Sequence, residues 1–131
     1  MNASRPESLN LKSLKQALAS EESVVFAYLF GSHATGDASP LSDVDVAVYP
    51  DKPLDLDERL GLIYRLIKKT RLERLDLTFL NRVHNLYLLE DILDHGIVLL
   101  DRDPDRRAMF EVMTHHRFLD FQYTRKLYLG E

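Results

Sequence analysis

Tyr28 to Val48 reads YLFGSHATGDASPLSDVDVAV, and the order of its parts decides the fold. An apolar run ends at Gly31-Ser32, a small polar loop follows, and Asp43 and Asp45 open a second apolar run. Two acidic residues one position apart at the edge of a strand point to the same face, roughly 6.5 to 7 Å apart along the chain. That suits a divalent cation. A Gly-Ser turn leaving a neighbouring strand offers unhindered backbone N–H groups and a hydroxyl to phosphate oxygens. Together these residue types point to metal-assisted transfer from a phosphate-bearing substrate.

Working outward, Val24 to Phe30 is a continuous β-favouring run, too short for a typical helix and closed by Gly31, which predicts a buried strand. His33 to Ser42 is rich in Gly, Ser, Ala and Pro, with room for one helical turn before Pro40. Asp43 to Val48 reads as the second strand, ended by Pro50 and Pro53. The loop between the strands is shorter than a parallel crossover needs, so they should be antiparallel neighbours. Gly31-Ser32 and Asp43/Asp45 then meet at one edge.

Before this unit, Met1 to Ser8 reads as a loose end, and Leu11, Leu14, Ala17 and Leu18 recur at helical spacing until Ser20-Glu21. After it, Asp55 or Asp57 can cap a helix over Glu58 to Arg71 with Leu60, Ile63, Tyr64 and Ile67 as its apolar face. Leu75 to Leu80 alternates with period two, placing Asp76 and Thr78 opposite Leu75, Leu77 and Phe79. A helix over Asn85 to Asp94 stops at His95-Gly96, and Ile97 to Leu100 makes a fourth strand. Asp103-Pro104 starts a last helix, about 104–129, that runs to Gly130, with Met109, Val112, Met113, His116, Leu119 or Asp120, Tyr123 and Leu127 as one stripe. The expected class is α/β: a small mixed sheet of about four strands covered by helices.

A chain of 131 residues reads as a single domain over 1–131 with a core of its own. It has no Cys, so disulfides, thiolate nucleophiles and Cys-zinc sites are excluded. No apolar run is long enough to span a bilayer and MNASRPESLNLK lacks the apolar core of a signal peptide, so the expectation is a cytoplasmic protein without a membrane partner. A formal net charge of -4 argues against direct nucleic-acid binding, which calls for a clear Lys/Arg excess.

Asp76 completes the chemistry. With Asp43 and Asp45 it would supply hard oxygen ligands of the kind Mg²⁺ prefers, and two such ions can clamp the attacking and leaving oxygens of an in-line displacement. An isolated Asp-x-Asp is more often a strand cap on a solvent-facing edge. The full pattern of Gly-Ser, ten residues, then Asp-x-Asp arises by chance only about once in several hundred sequences of this length. The remaining histidines, His84, His95, His115 and His116, lack the spacing of a zinc site.

GSHATGDASPLSDVDVAV resembles the signature of the nucleotidyltransferase superfamily that includes DNA polymerase beta and the aminoglycoside nucleotidyltransferases, and LDLTFL resembles its third-carboxylate strand. The likeness covers roughly Val24 to Leu100. It is nearest the minimal nucleotidyltransferases (MNT), specifically the MntA-type antitoxins of HEPN/MNT pairs. The resemblance implies a polymerase beta-like fold in which Gly31 and Ser32 hold the triphosphate of ATP. Asp43, Asp45 and Asp76 would bind two Mg²⁺ ions, and Asp76 would help take the acceptor proton. It further implies AMP transfer onto a tyrosine of a HEPN-family RNase toxin, with which the chain would form a hetero-oligomer. Many relatives carry Arg at one or both of the positions where this chain has His33 and Thr35, which makes His33 a candidate triphosphate contact. Transfer to a small-molecule hydroxyl such as an aminoglycoside, and a non-catalytic antitoxin that neutralises by binding, are the alternative readings.

Overall fold

The computed structural model describes residues 10–130, so the loose end expected at Met1 to Ser8 lies outside the described residues. In chain order come α1 (Leu11–Ala19), β1 (Val24–Phe30), the one-turn α2 (Ser32–Thr35) and β2 (Val44–Pro50). They are followed by α3 (Leu56–Thr70), β3 (Leu75–Phe79), a 3-10 turn (Leu80–Arg82), α4 (Leu86–His95), β4 (Ile97–Asp101) and α5 (Pro104–Leu129).

The four strands form one mixed sheet in the order β3-β2-β1-β4. β1 pairs antiparallel with both β2 and β4, and β2 pairs parallel with β3. The central position of β1 explains its uninterrupted apolar sequence: it has a partner on each side and a helical layer on each face, and Val24 to Leu29 are all buried. On one face Leu14 and Leu18 of α1 and Leu62 and Leu66 of α3 close over Val24, Ala27, Leu29, Val46 and Val48. On the other, Leu89 and Ile92 of α4 and Phe110 of α5 cover Phe26, Tyr28 and Ala47. No helix among the described residues is long and apolar enough to cross a membrane.

Helix ends follow the caps in the sequence. Asp55 accepts from the Glu58 N–H while Glu58 accepts from the Asp55 N–H, a reciprocal capping box. Asn85 and Asp103 cap α4 and α5 by side-chain acceptance alone, from the Tyr87 and Leu88 N–H groups and from the Arg106 N–H. The α1–β1 turn is pinned by Arg102, whose guanidinium donates to the carbonyls of Ala19, Glu21 and Val24. Beside it the buried Glu21 carboxylate accepts from Arg65 and Lys69 of α3.

Two expectations need correction, and the stripe on α5 gains a direction. β2 begins at Val44 rather than Asp43 and extends through Pro50, because an edge of the pairing with β1 reaches Val24↔Pro50 and proline need not donate there. On α3 the buried face is Leu62 and Leu66, flanked by Ile63 and Ile67; Leu60 and Tyr64 are exposed, Tyr64 lying under the Lys68 ammonium. On α5 the stripe Met109, Val112, Met113, His116, Leu119, Asp120, Tyr123 and Leu127 faces outward. The opposite side packs, through Arg107, Phe110, Glu111, Thr114 and Phe118.

Candidate active site

β1 delivers the chain to Gly31 at the sheet edge, and β2 brings Asp45 directly opposite Phe30 in the antiparallel register. Gly31 adopts φ 74°, a conformation that side chains resist, and a Cβ there would lie 2.3 Å from Asp45 Oδ2. The missing side chain is therefore the space that the Asp45 carboxylate fills. Ser32 begins α2, whose turn closes with Ala34 and Thr35 N–H groups both donating to the Gly31 carbonyl. The Thr35 hydroxyl is spent on Asp37 Oδ2 at 3.0 Å.

The parallel register of β2 and β3 sets Asp45 beside Asp76. Neighbouring strands lie about 4.8 Å apart, and paired residues share a face, so both carboxylates rise from the same side of the sheet. Burial raises the Asp45 pKa above its ordinary value; the carboxylates of Asp76 and then Asp43 push it up further, and His33 opposes them. This is the electrostatic signature of acidic groups held at one edge. The Nε2 of His33 is buried without a hydrogen-bond partner among the described residues.

Asp43 stands one residue before β2 and is turned aside. Its Oδ1 pairs with Arg74 Nη2 at 3.0 Å, while the Val44 N–H donates to the Arg74 carbonyl at 2.9 Å. Both side chains of the ion pair are more than half exposed. Among the described residues, accordingly, no three His, Asp or Glu side chains already stand as a metal-ligand cluster. The donor set nevertheless fits a hard divalent cation: three carboxylates with a mutual repulsion that such an ion would relieve. All six residues singled out in the sequence, Gly31, Ser32, His33, Asp43, Asp45 and Asp76, belong to this edge. Arg74 was missed; its signal was its place two residues before Asp76, where a strand start meets the Asp-x-Asp strand.

The family described as Polymerase beta, Nucleotidyltransferase matches residues 12–105. The chain belongs to the polymerase beta nucleotidyltransferase family. Among solved structures this nucleotidyltransferase is similar to a chain of a toxin-antitoxin crystallised with AMP-PNP, at 25% identity and a TM-score of 0.76, over 93% of this chain and 97% of that one. A mutant of the MntA-HpeT toxin-antitoxin matches at 24% identity and a TM-score of 0.76, with 93% and 97% of the two chains covered. A tri-AMPylated Shewanella oneidensis HEPN toxin in complex with MNT antitoxin matches at 22% identity and a TM-score of 0.70, over 95% and 96%. Comparison with curated proteins found no match. The family match stops just inside α5, whereas coverage of 93% cannot be reached without most of that 26-residue helix.

Proposed function

We propose that the chain is the antitoxin of a toxin-antitoxin pair, a Mg²⁺-dependent adenylyltransferase that moves AMP from ATP onto a tyrosine hydroxyl of a HEPN-type toxin. The observation that carries this reading is the edge itself: Asp45 and Asp76 side by side, Asp43 next to them, and Gly31-Ser32 against the Asp45 carboxylate. Its support from relatives is the likeness, through most of α5, to a chain of a toxin-antitoxin crystallised with AMP-PNP.

In this mechanism the backbone N–H groups of the Gly31-Ser32 turn meet phosphate oxygens, and His33, with its unpartnered Nε2, hydrogen-bonds the triphosphate. Asp43, Asp45 and Asp76 would hold the ions, which supply charge neutralisation and alignment of the attacking and leaving oxygens. The tyrosine oxygen attacks the α-phosphorus, the bond to pyrophosphate breaks, and Asp76 accepts the phenolic proton. Little covalent work falls to the protein, so positioning and electrostatics carry the rate.

Incubating the chain with labelled ATP, Mg²⁺ and the toxin tests the proposal. Label should enter the toxin, and Asp43→Ala with Asp45→Ala should abolish it. A folded wild-type chain that transfers no label would sink the reading. For His33, His33→Ala should raise the KM for ATP; an unchanged KM and rate between about pH 6 and about pH 8 would remove it from the site.

A further inference from the structure

α5 carries an apolar seam that the fold leaves uncovered. Met109, Val112, His116, Leu119, Tyr123 and Leu127 follow one another at steps of three, four, three, four and four residues, the spacing by which one helix packs along another. Its apolar members Met109, Val112, Leu119, Tyr123 and Leu127 are 46% to 65% exposed. The helix cannot roll to hide them, because its other side is committed. Arg107 bridges Asp101 and Glu111 at 2.8 Å, Glu111 accepts from the buried Tyr28 hydroxyl at 2.7 Å, and His115 meets Glu90. Further along, Phe118 and Phe121 pack edge-on against Tyr87, whose hydroxyl accepts from Arg125 at 2.7 Å.

The seam spans about 27 Å from Met109 to Leu127 at the helical rise, five turns of a facing helix. Where it begins, a cavity of about 250 Å³ opens between Tyr49, Met109, Phe110, Met113 and Arg117, a socket for one large apolar side chain. A seam at this spacing selects a helix as its occupant rather than an extended strand or a small ligand. The helix that bears it lies beyond the residues matched by the catalytic family, yet is shared with a chain of a solved toxin-antitoxin.

We propose that the outward face of α5 is the docking seam for a helix of the toxin, so that the element added to the catalytic core recognises the protein to be modified. This rests on the reading of the chain as an antitoxin. The cavity at Tyr49 anchors one end of the contact, and Tyr123 and Leu127 extend it along the free part of the helix.

The test measures binding rather than transfer. The probe is a purified HEPN-type toxin, with the full-length chain as its partner. Leu119→Glu with Tyr123→Glu, and separately Val112→Lys with Met113→Lys, should each weaken binding tenfold or more while leaving the melting temperature and the affinity for ATP unchanged. Unchanged toxin binding in both variants overturns the seam, as does a wild-type chain that does not bind the toxin. Light scattering supplies a further arm: a wild-type dimer that both variants split, with toxin binding intact, would make the face a self-interface instead. If the wild-type chain binds the toxin through α5 but transfers no label, the seam stands and the enzymatic reading falls.

Discussion

Gly31→Ala, compared with Gly36→Ala, separates the backbone cost of a glycine from the cost of moving a site carboxylate. Both glycines have positive φ, 74° and 87°, and an L side chain there costs about 1–2 kcal/mol. They differ in what a Cβ would meet: nothing within 4 Å at Gly36, but Asp45 Oδ2 at 2.3 Å and Asp45 Cγ at 3.2 Å at Gly31. Relief at Gly31 requires Asp45 to leave its rotamer, a further cost of about 0.5–1.5 kcal/mol. With a urea slope of about 2 kcal/mol per molar, the two variants should differ in midpoint by about 0.5 M. The rates should diverge more. Shifting a positioned catalytic group by about 1 Å costs on the order of 100-fold, so Gly31→Ala should lose AMP transfer by about that factor while Gly36→Ala stays much closer to wild type. Equal urea midpoints together with equal transfer rates would refute the claim that Gly31 is glycine to make room for Asp45.

Leu66→Ala, at a side chain with no exposed surface, should lower unfolding free energy by about 2–5 kcal/mol in a urea titration. Glu21→Gln tests a buried charge. Burial pushes the Glu21 carboxyl up, but hydrogen bonds and charges of Arg65 and Lys69 outweigh it and hold its pKa below the ordinary 4.5. A carboxylate depressed in the folded state stabilises above its unfolded pKa and loses that contribution as pH falls through its folded pKa. The variant should therefore be less stable at neutral pH, by about 1–3 kcal/mol, and the gap should narrow below about pH 4.5. Asp45 has the opposite sign. Its raised pKa means that the folded chain binds a proton more tightly than the unfolded one, so stability falls as pH rises from the ordinary 3.8 through the folded pKa. Without metal, Asp45→Asn should accordingly raise the melting temperature at neutral pH, an advantage that shrinks in acid.

Much of the fold was legible because the sheet writes itself into the sequence twice. β1 is an apolar run closed by glycine, and β3 alternates with period two, so its exposed Asp76 could be assigned a face before any partner strand was known. The antiparallel pairing of β1 and β2 followed from the short loop alone. Helix faces were less secure. On α3, Leu60, Ile63, Tyr64 and Ile67 make an acceptable apolar face by spacing, but so do Leu62, Ile63, Leu66 and Ile67; a wide stripe does not say which flank touches the sheet. On α5 the spacing named the stripe but gave it no direction, and it faces outward. Periodicity reports that a face is apolar, and is silent on whether this chain or another covers it.

The site shows the same division between pattern and placement. The residues of the Asp-x-Asp motif and Asp76 are named by the sequence, but how their repulsion is managed depends on neighbours that no motif contains. Asp43 is offset by Arg74 in an exposed ion pair, worth at most about 1 kcal/mol and so weak enough to be exchanged for a stronger partner. Asp45 is half-buried against Gly31, with its charge disfavoured. Asp76 stays exposed on an edge strand, where water screens it. Pairing Asp43 with Arg74 and leaving Asp76 open to water limits the repulsion that Asp45, beside Asp76, must bear. On the proposed reading, a bound divalent cation would compete with Arg74 for the Asp43 carboxylate.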